Sequence, residues 1–295
     1  MLIGLQEADP ATGVTPALTE AAEDLAVTLP TWGETGFGLA VLVAGLLLWA
    51  YVAPLLERRL LGPERLTRPA APWWALEMFT VAFATFSGIL GSMLLLGMVG
   101  GSPLDPLLAT DLGMLVGVVT AWNLARRRAS DATSRLLGFD SPHGLGRELT
   151  YGLLGLLLGT PAILGVMQIA PRLLSLMGHD PQTQAVLAGI LALDGGALLG
   201  AIVLASFVGP VLEEVLFRGF VQPACVDRLG TSGGILFTAL LFAAIHGADA
   251  MLPVFALAVV LGILRHRTGG LAAPVLAHCL WNGTTLLVAL KLVPA

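Results

Sequence analysis

Long apolar stretches alternate with short clusters of arginine along this chain. Eight stretches, at about 37–56, 74–99, 107–125, 149–170, 196–221, 233–249, 251–265 and 271–290, come near the ~20 apolar residues that a helix needs to cross a bilayer core, the sixth and seventh being short. A further apolar run at 183–193 is too short to span, and is expected to pack against the outer ends of helices. The roughly ten-residue alternation of a membrane β-barrel is missing. In lipid each backbone group must find its partner within its own segment. The pattern therefore predicts an all-α polytopic membrane protein with about eight transmembrane helices.

Composition agrees. Hydrophobic residues make up 56% and charged residues 12% of the 295, with a mean hydropathy of +0.85. A soluble domain carries about 25% charge, so a water-soluble globule is excluded. Residues 1–36 hold six acidic side chains and no basic one, which rules out the positive n-region of a secretory signal. Within that segment Thr15-Pro16 starts a helix, and Leu18, Ala22, Leu25 and Leu29 share one face. The spacing predicts a short amphipathic helix on the membrane surface or on the protein. Residues 37–295 then read as a single transmembrane domain.

Basic residues orient it. Arg58, Arg59, Arg65 and Arg68 follow the first span, and Arg126, Arg127, Arg128, Arg135 and Arg147 follow the third. Arg228 follows the fifth, and Arg265 and Arg267 the seventh, whereas only Arg172 and Lys291 fall on the other side. By the positive-inside rule both termini are extracytoplasmic. Fourteen arginines against one lysine point to a GC-rich bacterial genome, and so to the plasma (inner) membrane. Trp73 and Trp74 open the second span, where indoles settle at headgroup level. Cys225 and Cys279 lack metal-ligand spacing and read as small apolar residues, Cys225 lying just past a helix end where acylation is possible.

The chemistry lies in polar groups that interrupt the last spans. Glu213, Glu214 and Arg218 follow the apolar run 197–212. One charge at the centre of a spanning helix costs about 2.5–3.5 kcal/mol, so these three need a bundle interior or a wet cavity. Glu214 and Arg218 are four apart and stack as an ion pair, while Glu213 is turned about 100° away and can stay unpaired. An unpaired, poorly solvated carboxylate suits a general base. His246 lies in the sixth span, and His278 and Asn282 share a face of the eighth. A carboxylate beside an imidazole can deprotonate water, and a second imidazole and an amide can donate to an oxyanion. Imidazoles and a carboxylate could equally hold Zn²⁺: a divalent metal, if present, would sit on Glu213, His246 and His278. The HExxH arrangement is absent, and no Gly-x-Ser-x-Gly elbow stands out.

These three groups, Glu213-Glu214-x-x-x-Arg218, Phe242-x-x-x-His246 and His278-x-x-x-Asn282, resemble in order the three motifs of the CAAX prenyl protease 2 family. That family is also called the CAAX protease and bacteriocin-processing (CPBP) intramembrane protease family. The resemblance covers about 196–290 and none of the N-terminal half. It implies an eight-helix fold with a cavity open to the cytoplasm, acting as a membrane endopeptidase. Glu213, helped by His246, would activate water; His278 and Asn282 would form the oxyanion hole; Glu214 and Arg218 would support the geometry. The implied partners are lipid and a protein or peptide substrate at the cytoplasmic face, with no nucleic acid. Two alternatives stay open: a non-proteolytic adaptor or immunity protein using the same cavity, and a transporter, although the internal symmetry usual for transporters is absent.

Other ionisable residues carry simpler expectations. Glu77, Asp111 and Glu148 lie near span ends and read as interfacial. Asp194 reads as a helix cap. Asp249, three residues after His246, is within reach of its ring. His143, His179 and His266 read as solvated loop residues.

Overall fold

The computed structural model describes residues 29–62, 70–99, 101–182 and 185–292. The expected helix before Leu29 lies outside these, as do Arg65 and Arg68. No strand occurs among the described residues. The helices are α1 (Trp32–Leu60), α2 (Ala75–Val99), α3 (Asp105–Arg128), a short α4 (Thr133–Leu137), α5 (Leu145–Leu176), α6 (Ala185–Leu191), α7 (Gly195–Val203), α8 (Gly209–Glu214), α9 (Gln222–Ala244), α10 (Ala248–Thr268) and α11 (Ala272–Leu292). Seven helical stretches are long and apolar enough to cross a membrane. The chain is thus an all-α, integral, multi-pass membrane protein.

One of those seven, Gly195–Ala244, runs for 50 residues. Held straight it would reach about 75 Å, more than twice the ~30 Å of a bilayer core. It doubles back at Gly230, whose φ of 72° and ψ of 171° leave the helical region at a backbone position where glycine carries no Cβ penalty. The legs pack face to face: a Cβ on Gly234 would lie 2.4 Å from Val226 Cα, and the Phe217 and Phe242 rings meet edge-on at 5.0 Å. Among the described residues the fifth of the seven stretches is thus a hairpin, and its turn falls between the fifth and sixth spans read from the apolar pattern. Several helices outrun the predicted spans because their ends are polar. Thr31 opens α1 with a capping box, its Oγ1 accepting from Glu34 N and Glu34 Oε2 accepting from Thr31 N.

Peripheral helices join through glycines that let backbones approach, as is usual between membrane helices. On the α1–α5 seam a Cβ on Gly45 would sit 2.4 Å from Ala162 N. Gly45→Leu should accordingly destabilise the protein by about 1–3 kcal/mol through overpacking. Gly91→Leu, where nothing lies within 4 Å, should leave the thermal unfolding midpoint in detergent near that of wild type.

Four expectations are corrected by packing. Trp73 is buried rather than at headgroup level: it stacks on Phe220 with centroids 4.9 Å apart and donates Nε1–H to the Phe220 carbonyl at 2.8 Å. A neighbouring ring and an acceptor outcompete the interface. Arg265, expected as a surface charge, is buried too. It donates to the carbonyls of Arg218 and Leu136, each at 3.1 Å, and of Gly269, so it ties α10 to α4 and to the chain around Arg218. Glu148 is not interfacial but fully buried against Gly270. Cys225 lies inside the hairpin, shielded from acylation. By contrast α6 packs as expected, Ile190 meeting Ala201 and Leu286. Asp194 precedes α7 at the capping position, although its side chain makes no cap hydrogen bond.

Candidate active site

The first leg of the hairpin is not uniform α-helix. Leu204–Val208 and Val215–Val221 follow the wider i→i+5 pattern on either side of α8. Such bulges are rare and gather at functional sites. Here they reset the azimuth of the residues around Glu213 and Glu214. Pro210 adds to this. In the i→i+5 register that Gly209 follows to Leu204, residue 210 would donate to Ala205, but proline has no N–H. The Ala205 carbonyl accepts instead from Asn282 Nδ2 at 3.1 Å.

Glu214 is fully buried and organises the inner layer. Its Oε1 accepts from Arg218 Nη1 at 2.8 Å and from His278 Nδ1 at 2.8 Å. Arg218, also buried, rests over the Phe242 ring at 4.4 Å and reaches the Ala258 carbonyl at 3.4 Å. Phe242 sits between them all, its ring 4.6 Å from that of His246 and 5.8 Å from that of His278. Its carbonyl accepts from His246 Nδ1 at 2.7 Å. That explains why an aromatic residue one turn before the histidine belongs to the site: its ring seats the arginine and its backbone fixes the imidazole.

Both histidines are thereby turned the same way. With each Nδ1–H donated to an oxygen, both rings present their Nε2 atoms to the same space. These face Glu213, at 4.0 Å from His246 Nε2 to Oε1 and 3.7 Å from His278 Nε2 to Oε2. Glu213 and His246 are partly exposed, at 17% and 27% of their side-chain surface, whereas Glu214 and Arg218 behind them are not. One carboxylate and two imidazole nitrogens thus converge on one accessible space, each ring beyond direct hydrogen-bond length from the carboxylate.

The same trio is the set that a divalent metal, if present, would use, and its donor chemistry suits zinc. Its spacing does not. Bonds of about 2.0–2.1 Å in a tetrahedron put ligand atoms about 3.3 Å apart, less than either separation here. Among the described residues no group of three or more His, Cys, Asp or Glu side chains is arranged to hold a metal ion.

The structure therefore brings together Glu213, Glu214, Arg218, His246 and His278, and sets Asn282 on the adjoining backbone. It does not pair Asp249 with His246: Asp249 Oδ1 accepts from His179 Nε2 at 2.8 Å and from Gln182 N at 3.0 Å, while His246 Nδ1 donates to the Phe242 carbonyl. His179 is accordingly paired rather than solvated. Asp111 was missed. Its Oδ1 lies 3.4 Å from where a Cβ on Gly209 would be, one turn before Glu213. An acid several residues inside the third apolar run was the available signal, blurred because the helix begins at Asp105.

Comparison with curated proteins and with solved structures returned no match. The family model described as type II CAAX prenyl endopeptidase, Rce1-like, matches residues 195–284, about a third of the chain. That stretch runs from the start of α7 to two residues past Asn282 and so contains all three motifs. Residues 195–284 of this multi-pass membrane protein are thus similar to the Rce1-like type II CAAX prenyl endopeptidase domain, in line with the resemblance carried by its three motifs.

Proposed function

We propose that the chain is an intramembrane endopeptidase in which Glu213 is the general base. The observation that carries this is the convergence of one carboxylate without a hydrogen-bond partner and two imidazole Nε2 atoms on a single space. Glu213 and His246 Nε2 both accept here, so they call for a guest that donates twice, and water meets that need. A water hydrogen-bonded to Glu213 and to His246 Nε2 spans their 4.0 Å separation with two bonds of ordinary length.

The reaction balances on these residues alone. Glu213 takes one proton of the water as its oxygen bonds to the scissile carbonyl carbon, and His246 holds the water in line. The resulting oxyanion lies against N–H donors. Asn282 has a second amide N–H beyond the one given to Ala205. His278, steered by Glu214 through Nδ1, contributes Nε2–H to that oxyanion. Glu213 then returns its proton to the leaving nitrogen as the C–N bond breaks, giving a carboxylic acid and an amine. No step passes through a metal.

The site belongs near the cytoplasmic face in this proposal. Glu213 is 18 residues past Gly195, about 27 Å along a helix, towards the end where arginines cluster. Both termini are then extracytoplasmic. The test uses purified protein in liposomes with a membrane-spanning peptide, its products identified by mass spectrometry. His246→Ala and His278→Ala should each lower kcat about 10²–10³-fold. A chelator should change the rate less than about twofold; a full loss restored by Zn²⁺ would put a metal on the trio despite its spacing.

A further inference from the structure

Asp111 is the acid that the mechanism above does not use. It stands in the second turn of α3, inside a spanning helix, where an ionisable side chain is costly and marks function. Its Oδ2 is shut off from solvent and makes no hydrogen bond among the described residues. Its Oδ1 lies against Gly209. Gly209 and Glu213 are four residues apart and so lie on nearly the same face of the leg, and the absent Cβ lets the acid pack closely against the Gly209 backbone. The Asp111 and Glu213 carboxylates are close enough to interact electrostatically.

A peptide reaching Glu213 must present an extended bond, since a helical carbonyl is wrapped by its own turn. Unwinding frees backbone N–H groups, and inside a membrane protein these need acceptors. Glu214 Oε1 and both imidazole Nδ1 atoms are engaged, the two Nε2 atoms turn to the reaction space, and Glu214 Oε2, though without a partner, lies in the fully buried layer behind Glu213. Asp111 Oδ2 is free. We propose that Asp111 is a substrate-binding residue, whose carboxylate accepts hydrogen bonds from N–H donors of the peptide next to the scissile bond, on the side running towards the start of α7. This rests on the endopeptidase reading. Two sources supply such donors, the backbone amides of the unwound segment and a lysine or arginine side chain, and the test separates them.

Full-length protein in liposomes is assayed with quenched apolar peptides. Wild type must cleave and Glu213→Gln must not; otherwise the endopeptidase reading itself fails. Given that, Asp111→Ala should raise KM about ten- to a hundredfold, the worth of hydrogen bonds to a charged group, with kcat within about twofold. Its thermal midpoint should be at or above that of wild type, because an unpaired buried carboxylate has been removed. Asp111→Asn serves as a second variant should the alanine fold poorly. A backbone source is shown when an ester in place of the amide raises KM for wild type but not for Asp111→Ala, with Asp111→Asn near normal. A cationic source is shown when wild type prefers a lysine-bearing peptide over its norleucine counterpart and Asp111→Asn loses that preference. An unchanged KM in Asp111→Ala, or a fall in kcat with KM constant, overturns the proposal.

Discussion

Purified Glu213→Gln protein should fold like wild type and hydrolyse peptide at least about a thousandfold more slowly, near the upper range for loss of a general base. The two outcomes have separate causes. No described side chain hydrogen-bonds Glu213, since both imidazoles stand at 3.7 Å or more. The isosteric amide therefore leaves no buried partner stranded, and thermal unfolding should shift little. Chemistry is another matter, because an amide oxygen cannot take the proton of water. KM should stay close to its wild-type value, as the missing interaction forms only in the transition state.

The neighbouring glutamate should behave in the opposite way. Glu214 and Arg218 are an ion pair at 2.8 Å with almost no exposure. Removing one partner leaves a charge buried and uncompensated, a loss of about 3–5 kcal/mol. Arg218→Ala strips the cation both from Glu214 and from the face of Phe242. It should sharply reduce the yield of folded protein and its thermal midpoint. Glu214→Gln should do nearly the same, and should also loosen His278, whose Nδ1 it orients. The double variant Glu214→Gln/Arg218→Gln, with no stranded charge, should be more stable than either single variant. That non-additivity is measurable by thermal unfolding in detergent. Equal or additive losses would mean that the pair does not act as a unit.

The apolar pattern reveals the helices because a bilayer imposes a length on them. Glu213, Glu214, Arg218, His246, His278 and Asn282 stand out in it because charged and polar side chains inside spanning runs are costly and mark function. Even the hairpin is visible as a gap between two apolar runs around Gly230. What stays hidden depends on partners far away in sequence. Arg265 looks like any loop arginine until the carbonyls of Leu136 and Arg218 are seen beside it. Asp249 is near His246 along the chain yet is claimed by His179. Position alone puts Asp111 and Trp73 at the interface, and only tertiary contacts with Gly209 and Phe220 move them inward. The i→i+5 stretches that aim the glutamates leave no mark in an apolar pattern, although Pro210 and its freed acceptor at Ala205 hint at one.

The claim that water activated at Glu213 breaks a peptide bond is tested most directly in heavy-oxygen water, with reconstituted wild-type and Glu213→Gln proteins given the same synthetic membrane-spanning peptide. Wild type should release two fragments, with solvent oxygen in the new carboxyl group, and the variant should release almost none. Identical fragments at wild-type rate from Glu213→Gln would contradict the account.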